Sequence, residues 1–496
     1  MKRQSALLAL LLLLGVLGIV CTYTRLSYTA DERWHVACGM EWWQRGTYTM
    51  EPKHSPLTRI FIAALPYGLH EVYPGKPFEA KRDASLRQML LQRIGILPFY
   101  ILSCLLVFLW SRKLFGGAAA LWSLALYVSM PTVTAHGALA TTDMGYTSML
   151  MLALMAGVVW LDIPDSKRSL ALGISLGLMI GSKFSGLVHW PIAMSLIFLA
   201  RCLGNDRKMP IKRMFLSAVI ILPALALTLA LIYRFSLAPL WQGIHDLQQL
   251  NRNGFAIWLF EPLHNRSVWY FFPVLFFFKT SLPFHIATLL GNARIIRGIA
   301  SPLKGEEFKQ LFPLLAALGV LLTSMTSNIN IGVRHVLPLY PLLAIPAGYG
   351  LYALWQGALW KRLIAAFLLL WQIWGFASSY PDEISYFNEL AGKRPEHIAL
   401  DSDFDWGQGM VMLDKALQER HAETVHLCLR GLHVTSYNAQ TLLHAKPLAC
   451  PNHVVNGWIA VSRSQSIYAP DNFAWLAPYE AIHVGNTINL YYITPQ

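Results

Sequence analysis

Apolar runs long enough to cross a lipid bilayer recur through the first 380 residues of this chain, and they restrict its fold more than any other feature. A transmembrane helix needs about 20 mainly apolar residues to cross ~30 Å of hydrocarbon. We predict about eleven such helices, over residues 5–24, 94–110, 118–135, 143–161, 170–186, 188–202, 214–233, 269–291, 311–327, 336–353 and 363–380. The chain is only 14% charged, whereas soluble domains carry about 25% charged residues. The predicted fold class is mainly α, a polytopic transmembrane helix bundle.

Positive charges predict the orientation of this bundle, because cytoplasmic loops carry an excess of Lys and Arg. The basic residues that we place on the cytoplasmic side, in alternate loops, are Lys2, Arg3, Arg112, Lys113, Lys167, Arg168, Arg201, Arg207, Lys208, Lys212, Arg213, Arg294, Arg297, Lys304, Lys309, Lys361 and Arg362. An odd number of spans then places the C-terminus outside. The net charge of +13 fits such loops and lipid headgroups. We predict no nucleic-acid partner, because no compact basic domain with interleaved aromatic residues occurs.

The first apolar run, Ala6 to Val20, follows two basic residues as in a signal peptide. It has no small-x-small cleavage site, because the bulky Val20 ends the run. We therefore predict a retained signal anchor with a cytoplasmic N-terminus.

Composition divides the chain into a transmembrane domain, residues 1–380, and a polar C-terminal domain, residues 381–496. In the first domain, residues 25–93 form a long outer loop, where the interrupted apolar stretch 55–70 predicts an interfacial helix. In the second, the strand and helix patterns cover residues 424–429, 455–461, 488–493 and 407–420. We predict a small α/β domain outside the membrane.

Two of the six cysteines, Cys428 and Cys450, fall in the C-terminal domain. In an oxidising compartment they could form a disulfide. Their spacing does not require one, so the sequence leaves the pairing open.

Asp31 and Glu32 are the first acidic residues of the chain and follow the first apolar segment directly. An adjacent carboxylate pair at the mouth of a membrane protein is costly and is usually functional. It could supply a general base or metal ligands, or it could be a solvated pair that marks a helix end. The aromatic stretch that follows favours a site covered by a headgroup-level helix. We predict that Asp31 is an unpaired proton acceptor.

Other unusual polar residues fall at the same predicted outer face: His54, Arg59, His136, Asp143, Lys183, Arg334 and His335. Asp143 could instead cap its helix. Lys183 stands between two apolar spans, where a lysine must reach water or meet an anion. Arg334 and His335 open a span, and an Arg at a helix start suits a phosphate. The alternative is contact with bulk lipid headgroups.

Carboxylates and phosphate-binding cations at one membrane face suggest a lipid phosphate substrate. A sugar on a polyprenyl phosphate already has a stable anionic leaving group. The protein then needs a base for the acceptor hydroxyl and cations for the departing phosphate.

The ordered motifs of the chain resemble a known superfamily. They are the acidic pair, His-Ser-Pro-Leu from residue 54, Thr-Thr-Asp ending at 143, Gly-Ser-Lys-Phe-Ser-Gly from 181, Asn-Ile-Gly-Val-Arg-His-Val-Leu-Pro-Leu-Tyr-Pro from 330, Tyr-Pro-Asp-Glu-Ile-Ser-Tyr-Phe-Asn-Glu from 380 and Asp-Ser-Asp-Phe-Asp-Trp-Gly-Gln-Gly from 401. The set resembles the GT-C superfamily of polytopic membrane glycosyltransferases. The nearest branch is that of bacterial relatives of protein O-mannosyltransferases (glycosyltransferase family 39) and of the lipid A aminoarabinose transferase. The resemblance covers nearly the whole chain.

The resemblance implies an inverting transfer from a polyprenyl-phosphate sugar to a hydroxyl at the periplasmic face of a bacterial inner membrane. It implies Asp31 as the catalytic base, with Glu32 as its partner. The residues assigned to the donor phosphate are Lys183, Arg334, His335 and Arg59, and those assigned to substrate are His54, Asp143 and His136. The acceptor is a protein, a lipid or a glycan.

A metal requirement stays open, because the Asp-x-Asp form usual in the superfamily is absent at Asp31 and Asp143. We predict no tightly held cofactor and leave a divalent cation open. Asp401, Asp403 and Asp405 alternate with a spacing compatible with oxygen ligands for a hard cation. They could instead form a polar turn that opens a helix, where acidic residues favour the dipole, or contact the acceptor.

Two other classes remain. A transporter or flippase of lipid-linked sugars would use polar residues at mid-bilayer and paired broken helices, whereas the polar residues here gather at one face. A non-catalytic scaffold would use the outer domain to bind envelope proteins. The sequence does not distinguish a hexose from a pentose.

Overall fold

The structure is a computed structural model, and it describes residues 2–69, 82–203, 211–260, 267–299, 306–431, 436, 438–440, 443–451 and 453–494. Most of the described residues up to 379 are helical, and a small sheet follows. The helices are α1 (Lys2–Val20), α2 (Glu32–Arg45), α3 (Pro56–Gly68), α4 (Arg82–Ile94), α5 (Leu97–Val128), α6 (Pro131–Ala138), α7 (Asp143–Asp162), α8 (Ser166–Ser182), α9 (Gly186–Leu203), α10 (Ile211–Ile232), α11 (Ala238–Asn253), α12 (Phe271–Lys279), α13 (Leu282–Gly298), α14 (Phe312–Met325), α15 (Leu339–Trp355), α16 (Leu359–Ser379), α17 (Met410–Gln418) and α18 (Arg463–Tyr468).

Among the described residues, seven helices are long and apolar enough to span a membrane, or eight if one bent pair counts as a single span. Each of the eleven predicted segments falls on helical structure. The difference in number has three sources. Two predicted segments fall in α5, which counts as one candidate, and the bent pair counts only in the larger number. In addition, α8 and α15 are each 17 residues long, below the 18 residues of the shortest spanning candidates. The mainly α, polytopic fold class is confirmed.

One predicted break between helices is confirmed, and two other predicted boundaries were wrong. The predicted segments 94–110 and 118–135 correspond to the two parts of the 32-residue α5, which is interrupted at Gly116, where φ is 84°. That conformation suits glycine because it has no Cβ. The second segment also ends early, since α6 begins separately at Pro131. The predicted span 269–291 is two helices, α12 and α13, bent by 109°.

The long loop after α1 contains the helices α2 and α3, which pack against each other. Helix α3 begins at Pro56, a position where proline fits because the first helical N–H needs no partner. A Cβ at Gly39 of α2 would lie 2.1 Å from the backbone oxygen of Arg59, so the close packing of the two helices requires glycine there. The predicted helix at 55–70 is thus present as α3.

The C-terminal part forms a five-stranded mixed sheet of order β2-β1-β3-β5-β4. Its strands are β1 (Thr424–Cys428), β2 (Lys446–Leu448), β3 (Gly457–Ser462), β4 (Ile482–Val484) and β5 (Ile488–Ile493). The three strands predicted from apolar runs are β1, β3 and β5, and the predicted helix is α17. Strand β1 pairs in parallel with β3, and β3 pairs antiparallel with β5. Cys428 and Cys450 form a disulfide.

Candidate active site

A cavity of about 420 Å³ lies where the loop after α1 meets the ends of α7, α8, α9 and α14. The predicted site residues that line it are Asp31, His54, Asp143, Lys183, Arg334 and His335. They come from five separate parts of the sequence. The fold therefore brings together most of the residues that were singled out at the predicted outer face.

Asp31 and Arg334 form an ion pair in this cavity. The Nη1 atom of Arg334 donates to Oδ2 of Asp31 at 2.6 Å. Asp31 precedes α2 directly, and 35% of its side chain is exposed, against 11% for Arg334. The prediction of an unpaired acceptor at Asp31 was wrong, because a cation already occupies one of its oxygens.

A second ion pair lies beside the first. Asp143 begins α7, Lys183 follows the end of α8, and Nζ of Lys183 donates to Oδ1 of Asp143 at 2.7 Å. The Nη1 atom of Arg334 lies 3.9 Å from Oδ2 of Asp143. Two carboxylates and two cations thus alternate along one wall of the cavity, which gives an incoming anion two positive groups within reach.

Neutral imidazoles line much of the remaining wall. Burial, and then the charge of Arg59, hold the pKa of both His35 and His54 well below the usual range. Burial, and then Lys183, do the same for the pKa of His335. At neutral pH these rings are uncharged, so each offers one hydrogen-bond donor and one acceptor.

The sequence predictions missed one polar group at the bottom of the cavity. His189 of α9 shares a hydrogen bond of 2.6 Å with the hydroxyl of Tyr146 and one of 3.3 Å with Oγ of Ser324. His189 and Ser324 line the cavity. The sequence could have indicated His189, because a histidine within an apolar span is costly there and usually functional.

Arg59, predicted to contact phosphate, is fully buried and does not line the cavity. Its Nε atom donates to Nδ1 of His35 at 2.9 Å, and its Nη1 atom donates to the Tyr48 hydroxyl at 2.9 Å. Its Nη2 atom pairs with the carboxylate of Glu51. Arg59 therefore lies behind the cavity wall and orients the His35 ring.

Glu32, predicted as the partner of Asp31, is also fully buried and outside the cavity. Arg93 donates to it through Nε at 2.8 Å and through Nη2 at 2.9 Å. The backbone N–H groups of Thr29 and Ala140 donate to the same carboxylate at 2.9 Å and 3.0 Å. Glu32 thus joins three parts of the chain at the residue next to Asp31.

His136, predicted to bind substrate, is buried beside the cavity rather than in its lining. Its ring lies edge-on to Trp406, with 6.4 Å between the ring centroids. Within the described part of the chain, its Nδ1 atom has no hydrogen-bond partner.

The three alternating carboxylates do not converge on one point. Asp401 lies 3.7 Å from Nη2 of Arg430, Asp403 accepts from the backbone N–H of Val333, and Asp405 accepts from Ser464. Over the described residues, no three His, Cys, Asp or Glu side chains lie close enough to hold a metal ion. The contacts of the three carboxylates thus give no support to the oxygen-ligand interpretation of this segment.

Comparisons with known proteins agree with this architecture. The family described as dolichyl-phosphate-mannose-protein mannosyltransferase matches residues 91–233, which include Asp143 and Lys183. Comparison with curated protein sequences finds no significant match.

Solved structures match nearly the whole chain. ArnT from Cupriavidus metallidurans, bound to undecaprenyl phosphate, is 13% identical with a TM-score of 0.52, over 98% of this chain and 99% of that one. The oligosaccharyltransferase of Archaeoglobus fulgidus in its apo form is 12% identical with a TM-score of 0.56, over 95% and 71%. The oligosaccharyltransferase AglB of the same organism, with an inhibitory peptide and a dolichol-phosphate, is 12% identical with a TM-score of 0.55, over 100% and 74%. The chain therefore has the GT-C fold that these membrane proteins share, and its segment 91–233 matches the family of dolichyl-phosphate-mannose-protein mannosyltransferases.

Proposed function

We propose that this protein transfers a sugar from a polyprenyl phosphate to an acceptor hydroxyl, within the cavity of Asp31 and Arg334. The observation that carries the proposal is the pair of adjacent ion pairs, Asp31 with Arg334 at 2.6 Å and Asp143 with Lys183 at 2.7 Å. They place one partly exposed carboxylate beside two cations in a single cavity. The fold shared with ArnT, whose structure holds undecaprenyl phosphate, supports a lipid phosphate as the donor head.

The proposed step needs no general acid. The acceptor hydroxyl gives its proton to the carboxylate of Asp31 as its oxygen forms a bond to the anomeric carbon. The bond from that carbon to the phosphate oxygen breaks, and its electron pair leaves with the polyprenyl phosphate. Lys183 and Arg334 stabilise the charge that develops on the phosphate, in a site with little water to screen them.

The ion pair at Asp31 fits this step, because a donor phosphate would compete for Arg334. A phosphate oxygen bound to the guanidinium releases Asp31 from its strongest partner. The carboxylate then becomes free to accept a proton when the donor is present. Attack from the face opposite the phosphate inverts the anomeric carbon, so we propose an inverting transfer.

We propose that the cavity opens on the periplasmic face of a bacterial inner membrane. Helix α7 has Asp143 at the cavity end and Asp162 at the other end. Lys113, Arg201 and Lys309 all lie within 4 Å of the Asp162 carboxylate. Basic residues thus gather at the end away from the cavity, which the charge rule places in the cytoplasm. His335 and His54 are proposed as neutral contacts to the phosphate and to the substrate hydroxyls.

The test uses purified protein in detergent with polyprenyl-phosphate sugars that carry a radiolabelled sugar, together with an envelope extract as acceptor. We expect label to move from the lipid to the acceptor and polyprenyl phosphate to be released. A flippase would leave the label on its lipid, and a scaffold would change neither the labelled lipid nor the acceptor. Either result in the wild-type protein, across hexose and pentose donors, would contradict the proposal.

A further inference from the structure

The segment from Asp401 to Met410 links the C-terminal domain to two loops that reach the cavity, although none of its own residues belongs to the lining. It contacts two loops, one that immediately precedes Asp31 and one that immediately precedes Arg334. The proposed function assigns no role to this segment.

The first half of the segment holds the loop before Arg334. Oδ1 of Asp403 accepts from the backbone N–H of Val333 at 2.9 Å, and Oγ of Ser402 donates to the backbone oxygen of Ile331 at 2.5 Å. Between them, Gly332 has a φ of 139°, and a Cβ there would lie 2.4 Å from Oγ of Ser402. The approach is therefore so close that the loop has little freedom to shift.

The second half of the segment holds the loop before Asp31. The backbone N–H of Ala30 donates to the oxygen of Trp406 at 3.2 Å, and that of Ser27 donates to the oxygen of Gln408 at 3.0 Å. Oγ of Ser27 donates to the oxygen of Gly407 at 2.8 Å and accepts from the N–H of Met410 at 3.1 Å. The side chains of Asp403 and Ser402 hold one loop, and main-chain groups of residues 406–410 hold the other, so the segment fixes the distance between the two loops.

Within this segment, the side chain of Trp406 contacts Arg334 itself. Its ring centroid lies 4.2 Å from Cζ of Arg334, so the guanidinium stacks on the indole. The Trp406 side chain is 6% exposed. A desolvated cation–π contact with tryptophan, the best of the aromatic partners, is worth about 2 kcal/mol, or roughly a 30-fold change in an equilibrium constant.

We propose that Trp406 is a positioning residue of the transfer reaction, which holds the Arg334 guanidinium where it can bind a lipid phosphate. The flanking segment Asp401–Met410 fixes the loop of Arg334 relative to the loop of Asp31. The C-terminal domain is thereby part of the active site and not a separate module. This inference rests on the proposed function, because it takes Arg334 as the phosphate contact.

The test measures the affinity of the purified full-length protein for undecaprenyl phosphate alone, in detergent. Trp406→Leu should weaken binding about 10- to 30-fold, because the leucine removes the cation–π contact. Trp406→Phe should recover part of that loss, since the phenyl ring restores a weaker contact. Trp475→Leu is the matched control, because Trp475 lies in the same domain and bonds only locally to Asn472. It should bind with wild-type affinity.

A double-mutant cycle separates positioning from general support of the fold. In the Arg334→Ala background, Trp406→Leu should cause little further loss, since the group that it holds is gone. Wild-type affinity in Trp406→Leu, or losses that simply add in the double variant, would overturn the inference. If Trp406→Leu fails to fold, the comparison of Trp406→Phe in the two backgrounds decides in the same way. If Arg334→Ala itself binds as tightly as the wild type, the proposed phosphate site fails instead, which is a different result.

Discussion

Arg334 donates to Asp31 at 2.6 Å although 303 residues separate them in the sequence. The pair joins the start of the first long loop to the segment just before α15. Because Asp31 is 35% exposed and faces the cavity, it is the carboxylate that an acceptor can reach, whereas the Asp143 side chain is 2% exposed. This difference in access underlies the first prediction.

Asp31→Asn should reduce sugar transfer by at least about 100-fold, because an amide cannot take the acceptor proton. Binding of undecaprenyl phosphate should be kept and become tighter, since the neutral amide competes less with the phosphate for Arg334 than the carboxylate does. The measurement is initial rate and lipid affinity on the same preparation. Asp471→Asn, at an exposed position of the C-terminal domain, is the control. Full turnover by Asp31→Asn would refute the assignment of the base.

Lys183→Ala should weaken undecaprenyl phosphate binding by about 10- to 100-fold, because a hydrogen bond to a charged group contributes roughly 1.5–3 kcal/mol. The affinity is measured by titration in detergent at low ionic strength. Lys415→Ala provides a matched loss of charge on an exposed helix face, with 72% of the Lys415 side chain accessible. Equal affinities in the two variants would exclude Lys183 from the phosphate site.

Glu32→Gln should lower the stability of the fold and leave the donor affinity of the folded protein unchanged. The carboxylate is fully buried and takes both Nε and Nη2 of Arg93, so the substitution leaves a buried cation without its charge partner. Breaking such a pair costs about 3–5 kcal/mol. Thermal denaturation should therefore occur at lower temperature, and the folded fraction should keep the wild-type donor affinity. A variant of normal stability that is inactive would show that Glu32 takes part in catalysis.

The contribution of Glu383 and Asp382 to the free energy of unfolding should fall as pH rises from about 5 to above 8. Burial raises the pKa of the Glu383 carboxyl from its ordinary 4.5 to about 8, and that of Asp382 to about 6. At these two carboxyls the folded state keeps protons that the unfolded state releases in this window, so their contribution is greatest at the acidic end and is lost as pH rises through the folded pKa. The buried neutral histidines contribute with the opposite sign, so the melting temperature of Glu383→Gln is compared with that of the wild type at each pH. Relative to the wild type, the variant should gain stability between pH 5.5 and pH 8.5. An unchanged difference would contradict the buried neutral carboxyl.

Reduction of Cys428–Cys450 should destabilise the C-terminal domain by about 3 kcal/mol, given the loop of 22 residues that the disulfide closes. The check is thermal denaturation of the Cys428→Ala/Cys450→Ala variant beside Cys202→Ala, which removes a free cysteine. Maleimide labelling of protein from cells should modify Cys202 after denaturation and leave the paired cysteines unmodified unless a reductant is added. Ready labelling of Cys428 without reductant would contradict a periplasmic domain.

The sequence by itself determined which segments are helices and strands. Apolar length and periodicity are local properties, and they located α1, α7, α16 and the strands β1, β3 and β5 within a few residues. The bend between α12 and α13 was not predicted, because a continuous apolar run does not show where a helix changes direction.

The sequence also identified the polar residues that are costly in or near a membrane, and six of these line one cavity. It could not assign them to partners. Glu32 adjoins Asp31 in the chain, yet it turns inward to Arg93, while Asp31 meets Arg334. Whether a charge faces water or a buried cation depends on distant segments that meet only on folding.

Tertiary structure alone decided the role of the C-terminal segment. Alternating carboxylates at 401, 403 and 405 suggested a cation site, but the turn directs each to a different neighbour and places Trp406 against Arg334. Residue types and spacing fix what chemistry is available to a chain. The long-range packing of helices and loops, whose energy no local pattern encodes, decides which of those groups meet.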